Sequence, residues 1–280
     1  MFTRGIIKIL LATMSFAVMN LIAKDLSMFP AMQIVFFRAF GTFIFMYPYM
    51  LYKRIPVLGN NPKLLTFRAV VGLISLTTFF MAMQRIPLGS AIAIRYLGPI
   101  FGAIMAFYFL KERISAARWT SFAIAFAGVV VMKGFDSRID NYSLSLIMIS
   151  AITVGMVFVM LRYLGDKEHH LTIINYFMVF SVVASLFSIS TWVWPAPRYY
   201  FDICGIGVFG LIGQVLMTQA FQTEEASVLA PFKYMELVYA LILSYFVFGE
   251  IHGFISFLGM GLIMAGMLLN VFIKKKEMKV

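Results

Sequence analysis

Ten apolar runs, each close to the roughly 20 residues a helix needs to cross a bilayer, leave this chain almost no option but a helical membrane bundle. They read as about Arg4 to Ala23, Met28 to Tyr52, Leu64 to Gln84, Leu88 to Leu110, Ala116 to Met132, Leu144 to Tyr163, Leu171 to Trp194, Ile203 to Phe221, Ala226 to Phe248 and Phe254 to Ile273. Little chain remains between them, so no nucleotide-binding cassette or soluble catalytic unit fits. A chain that is 62% hydrophobic and 12% charged also lacks the polar surface to cover a soluble fold. The expected class is an all-α integral membrane protein with ten transmembrane helices.

The net charge of +11 would suggest nucleic acid in a soluble chain, but its placement excludes that reading. With the N-terminus inside, 15 of the 23 Lys and Arg fall on the cytoplasmic side: Arg4, Lys8, Lys53, Arg54, Lys63, Arg68, Lys111, Arg113, Arg118, Arg162, Lys167 and the tail Lys274, Lys275, Lys276 and Lys279. Five face outside, namely Lys24, Arg85, Lys133, Arg138 and Arg198. The basicity is a positive-inside signal for a multi-pass protein of the cell (inner) membrane with both termini cytoplasmic. Anionic lipid headgroups are the expected partner of the Lys-rich tail. The first run has a basic start but no small-residue cleavage site in residues 20–24, so it reads as a retained helix. One cysteine, Cys204, leaves no intrachain disulfide and no cysteine-based metal site. His169 and His170, with Asp166 and Glu168, read as a solvated loop, not a metal site.

The chain repeats itself. A shift of 138 residues superposes Gln84 on Gln222, Arg95-Tyr96 on Lys233-Tyr234, Glu112 on Glu250 and Ala127-Gly128 on Ala265-Gly266. Residues 1–138 and 139–280 then hold five helices each. Five is odd, so the second half enters from the opposite side. That is an inverted repeat of the kind that supports alternating access, with substrate near the midplane between the halves.

Several segments carry a family resemblance. Gln84-Arg85-Ile86-Pro87-Leu88-Gly89-Ser90-Ala91, Tyr96-Leu97-Gly98-Pro99-Ile100-Phe101, Leu110-Lys111-Glu112-Arg113 and Ala127-Gly128-Val129 in the first half resemble the EamA-type branch of the drug/metabolite transporter superfamily. So do Ala230-Pro231-Phe232-Lys233-Tyr234 and Phe248-Gly249-Glu250 in the second. The resemblance implies a ten-helix carrier with helices 3, 4, 8 and 9 near a central cavity. Lysine before the helix 9 tyrosine is not a general feature of the branch, which argues against a default assignment as an amino-acid exporter.

Three cations, Arg38, Arg95 and Lys233, sit seven or eight residues deep in apolar runs, where a charge is expensive and marks function by default. Arg95 and Lys233 occupy one repeat position on helices that should line the cavity, so they are the expected anion clamp. Arg38 fits either that site or a purely structural pairing. Glu236 is the only acidic residue well inside a run, and its i,i+3 spacing from Lys233 lets the two pair on one face. It then either neutralises the lysine or acts as a titrating gate. Pro99 withholds the bond to the Arg95 carbonyl and Pro231 the bond to that of Ser227, loosening both helices beside the charges. Tyr96, Tyr234 and a stripe of Gln214, Thr218 and Gln222 would shape the pocket, unless the stripe bonds across helices. Asn20, Ser75, Thr77, Asn175 and Tyr176 are single polar positions, and Gly98, Gly102 and Ala106 a packing ridge. Glu112 and Glu250 sit at matching helix ends, where they should bond loops.

No metal-binding histidine pair or intramembrane aspartate dyad supports an enzyme, and a channel would not need opposed broken helices. The sequence thus predicts a secondary transporter of a small organic anion, driven by exchange against a counter-substrate or by protons and needing no cofactor. The alternative is an exporter of amphipathic or zwitterionic metabolites such as amino acids.

Overall fold

The computed structural model describes residues 4–111, 114–164, 168–223 and 226–277, without the side chains of Leu110, Arg162, Thr218, residues 221–223 and 226–228, and Ala230. Glu112, Arg113, Asp166, Lys167 and Lys279 lie outside the described residues, as do the side chains of Thr218 and Gln222.

Among the described residues, twelve α-helices make ten membrane passages, because the fourth and ninth are each built from two pieces. The helices are α1 (Arg4–Asp25), α2 (Ala31–Tyr52), α3 (Pro62–Met83), α4 (Leu88–Arg95), α5 (Gly98–Leu110), α6 (Ala116–Phe135), α7 (Asn141–Leu164), α8 (His170–Leu186), α9 (Tyr200–Thr223), α10 (Ala226–Lys233), α11 (Met235–Phe248) and α12 (Phe254–Glu277). Among the described residues, nine passages are long and apolar enough to cross a membrane, and α8 is a shorter apolar helix.

Several helix boundaries depart from the sequence reading by three residues or more, and two of them involve segments that contain proline. The second passage starts at Ala31 instead of Met28, because Phe29 before Pro30 is extended (φ −88°, ψ 147°), as a residue preceding proline prefers. The seventh ends at Leu186 instead of Trp194, with short 3-10 turns at Ile189–Thr191 and Pro197–Tyr199 leading to α9. Pro195 and Pro197 offer no amide proton to the carbonyls of Thr191 and Val193, which keeps α-helix from resuming through the stretch before α9.

The 138-residue shift runs through the elements. It carries Leu88–Arg95 onto Ala226–Lys233 and the start of α6 onto the start of α12. Helix pairing follows the same exchange: α1 packs on α9 as α7 packs on α3, α5 on α7 as α11 on α1, and α2 on α9 as α8 on α3. Even the caps match. Lys111 and Gly249 close α5 and α11 in the left-handed conformation, with φ of 54° and 63°, a strain for lysine that glycine avoids.

Small residues set the closest crossings. A Cβ on Gly155 of α7 would lie 2.7 Å from the Gly102 nitrogen of α5, so Gly98 and Gly102 form the packing ridge read from sequence. Several polar groups at buried crossings are paired across helices, which membrane burial favours. The hydroxyls of Ser75 (α3) and Ser150 (α7) each donate to the other's carbonyl oxygen, at 2.9 and 2.7 Å. Arg118 Nε donates to Asn270 Oδ1 at 3.0 Å across α6 and α12, so Arg118 is buried between helices instead of lying at the surface.

The face of the bundle at which α1 begins is its N face. At the opposite face, Lys24 forms an ion pair with Glu250 and donates to the Ile86 carbonyl at 2.7 Å, while Glu250 accepts from the Leu88 amide at 2.9 Å. Glu250 thus ties loops together, and it fixes the start of α4. Beside this network, Asp136 pairs with Arg138 at 2.8 Å. Burial works to raise the Asp136 carboxyl, but hydrogen bonds from Arg138 outweigh it and hold the group below its ordinary value. His252 is buried there with neither ring nitrogen hydrogen-bonded, and burial lowers its imidazole below the ordinary value.

Candidate functional site

The two broken passages meet at their breaks. In the first, α4 stops at Arg95, Tyr96 and Leu97 turn, and α5 restarts with Pro99 in its first turn. Pro99 has no amide proton to offer the Arg95 carbonyl. In the second, only Tyr234 separates α10 from α11, and the Leu237 amide bonds back to the Tyr234 carbonyl at 3.0 Å. The carbonyl of Lys233 is left at the gap, and the opposing break satisfies it: the Tyr96 hydroxyl lies 3.1 Å from Lys233 O. The same hydroxyl lies 3.1 Å from Glu236 Oε2, and its single proton serves one acceptor at a time. The rings of Tyr96 and Tyr234 touch edge to face with centroids 5.1 Å apart.

Glu236 therefore sits between two passages and a third. Asn20 of α1 donates to its Oε1 at 3.0 Å, leaving Asn20 Oδ1 buried and without a partner. The charges of Arg95 and Lys233 both act on this carboxylate. The direct Lys233–Glu236 pair expected from their spacing is nevertheless not made: among the described residues the ion pairs are Lys24–Glu250 and Arg138–Asp136. The helix is interrupted between the two residues, so i,i+3 no longer places them one above the other. The lysine ammonium instead sits 5.1 Å from the centre of the Phe158 ring on α7, and the Arg95 guanidinium 4.2 Å from that of Phe79 on α3. Both cations rest on aromatic faces, which attract them weakly.

Arg38 is buried on α2 and donates Nε to Met19 Sδ at 3.2 Å. Sulfur is a weak acceptor, so this is a thin partner for a buried guanidinium. The charges of Arg95 and Arg68 both act on Arg38, which links it to the cluster. The sequence counts Arg68 among the cytoplasmic charges, yet the structure buries it on α3 with Nε and Nη1 unpaired. Its position six residues into α3 was the available signal. Asn20 was visible only as a single polar residue, and nothing in the sequence identified Phe79 or Phe158 as platforms.

Gln214, the one described side chain of the sequence's helix 8 stripe, lies on α9 and is not part of this cluster. Gln214 lines a different cavity of about 580 Å³ between α2, α8 and α9, with Thr42, Tyr49, His170 and Gln219. The structure thus brings together Arg95, Tyr96, Lys233, Tyr234, Glu236 and Asn20, with Arg38 and Arg68 at the margin, and leaves Gln214 apart. Among the described residues no group of three or more His, Cys, Asp or Glu side chains could hold a metal ion.

Comparison with known proteins gives this centre its context. The profile of the EamA-like transporter family matches residues 3–133 and again residues 141–272. The chain is 32% identical to the pseudopaline exporter of Pseudomonas aeruginosa (strain UCBPP-PA14) over 242 residues, 84% of each chain. It is 24% identical to the S-adenosylmethionine uptake transporter of Rickettsia prowazekii (strain Madrid E), over 99% of this chain and 95% of the relative. A crystal structure superposes with a TM-score of 0.63 at 14% identity, covering 98% of this chain and 97% of its own.

Proposed function

The chain belongs to the EamA-like transporter family and is a multi-pass membrane transporter, not an enzyme; from that premise we propose that it moves a small organic anion by alternating access, through exchange or proton coupling. The observation that supports the reading is the charge balance at the crossing of the two breaks. Among the described residues Arg38, Arg95 and Lys233 have no carboxylate within ion-pair distance, while Glu236 is engaged by Asn20 and Tyr96. A desolvated cation is costly unless an anion joins it, and a substrate carboxylate or phosphate is the group that would. Arg95 and Lys233 act as the clamp, the two tyrosines as the wall between them, and Glu236 as the coupling group. In this proposal the N face is cytoplasmic, by the positive-inside argument, and the halves divide near residue 138.

A zwitterionic substrate is the second reading, favoured by Glu236 itself. A carboxylate placed beside two cations could receive a substrate amine while the cations take its acid. Relatives named for export and for uptake both align, so the proposal fixes no direction.

The test is uptake by proteoliposomes. Arg95→Gln and Lys233→Gln should insert and fold but lose most anion uptake, since hydrogen bonds to charged groups contribute about 1.5 to 3 kcal/mol each. Full activity in both variants would refute the clamp. Loss of amino-acid transport in Glu236→Gln, with dicarboxylate transport intact, would favour the zwitterion.

A further inference from the structure

Arg68 is a buried cation that the proposed clamp does not use. Its Nε and Nη1 are buried without a hydrogen-bond partner, and it forms no ion pair with a described residue. Its guanidinium lies 5.0 Å from the centre of the Phe177 ring on α8. Gly72, one turn along α3, has no side chain to crowd it: a Cβ there would meet the Phe177 ring at 3.3 Å and Arg68 Nη1 at 3.8 Å. An aromatic face returns only part of what desolvating a guanidinium costs, so a purely packed Arg68 is poorly accounted for. One turn beyond Phe177 on the same face of α8, the Ser181 hydroxyl is also buried and unpaired.

Depth separates Arg68 from the clamp. It stands six residues from the N-face end of α3, about 9 Å into the bundle, whereas Arg95 ends α4 about 10 Å in from the opposite face. Arg38 bridges the gap, since both other guanidiniums act on it.

We infer that Arg68 is a second anion-binding position on the N-face side of the Arg95–Lys233 centre, and that the substrate carries two acidic groups, one for each position. The inference rests on the anion-transport reading and narrows its substrate class to dianions, such as dicarboxylates or phosphorylated acids. A monoanion leaves one position unfilled and binds more weakly.

The probes are butyrate, succinate, glutarate and adipate, measured as competitors of uptake and by thermal shift of the purified full chain. In the wild type at least one dicarboxylate should bind better than butyrate. Arg68→Gln should weaken that dicarboxylate about tenfold or more and leave butyrate unchanged. Arg68→Lys keeps the charge but not the planar fork and should lose several-fold for the dicarboxylate alone. It is also the variant to use if Arg68→Gln does not fold. Equal weakening of both ligand classes, no weakening of either, or a wild type that binds butyrate as well as any dicarboxylate overturns the inference while the anion reading stands. A wild type that binds none of the four removes both.

Discussion

The Tyr96 hydroxyl, shared between a broken helix and a half-buried carboxylate, gives the sharpest test of how the centre is held. It lies 3.1 Å from Lys233 O and 3.1 Å from Glu236 Oε2. Tyr96→Phe removes a bond to a charged group, which contributes about 1.5 to 3 kcal/mol, and exposes the carbonyl at the gap to a desolvation penalty of similar size. With one proton for two acceptors the losses do not add, so the single change should cost about 2 to 3 kcal/mol. Glu236→Gln should cost less. Its amide keeps an oxygen for one donor, and the orphaned Asn20 Oδ1 can accept from the new N–H. In the Gln background Tyr96→Phe then breaks only a neutral bond, about 1 kcal/mol. The double-mutant cycle should show a coupling of about 1 to 2 kcal/mol. The assay is unfolding of purified protein by SDS in mixed micelles, with all four variants followed by helix content. Additivity within about 0.5 kcal/mol would mean that Tyr96 and Glu236 do not share a bond, and the account of the crossing would fall.

Three further outcomes are expected. Lys111→Gly should raise stability by about 1 kcal/mol, because a non-glycine residue pays that much in the left-handed region where Lys111 sits at φ 54°; no change in unfolding midpoint would mean the cap is not strained. The imidazole of His252 is held below its ordinary value by burial and the nearby Arg138 and Lys24, against Glu250 and Asp136, so above pH 6.5 both folded and unfolded chains carry it neutral, and as pH falls below that value the unfolded chain protonates first. Stability should therefore fall on acidification, and His252→Gln should flatten part of that slope; identical slopes would exclude the histidine. Finally, with exposed Cys204 replaced, a cysteine at Ala116 should react only with reagents reaching the cytoplasm and one at Gly253 only from outside, and labelling of both from one face would reject the proposed orientation.

Most of the fold was legible because membrane burial imposes one rule on every passage. A spanning helix must satisfy its own backbone over about 20 apolar residues, and that run length can be read directly. The first break was legible because Pro99 withholds a bond from the Arg95 carbonyl; the second falls at Tyr234, whereas Pro231 stays inside α10 and marks only its neighbourhood. The site was less legible. The Lys233–Glu236 pair assumed a continuous helix that Tyr234 interrupts. Arg68 lies close enough to the end of an apolar run to pass for a surface charge, and only packing against Phe177 shows otherwise. The Gln214 stripe has helical spacing, but the helix turns that residue toward α2 and α8, and spacing alone does not say which face looks inward.

What the repeat preserves is scaffold, and what it alters is charge. The same 138-residue shift that aligns the helix ends carries Arg38 onto Tyr176, Arg68 onto Ile206, Asn20 onto Phe158 and Gly98 onto Glu236. Within the candidate site, Arg95-Tyr96 and Lys233-Tyr234 are the positions that keep both chemistry and place. Two halves that pack alike can exchange conformations about a shared axis, which is what alternating access asks of the backbone. A site with the same charges in both halves would present its substrate with matching wells on either side of the centre. Placing Arg38 and Arg68 in one half, and the carboxylate in the other, removes that equivalence. The carboxylate then meets its partners from both halves at the crossing: Asn20 and Tyr96 from the first, with Lys233 acting through space from the second. On the alternating-access proposal, movement of one half against the other would break or remake those bonds, so Glu236, the proposed coupling group, is also the one that such motion would disturb.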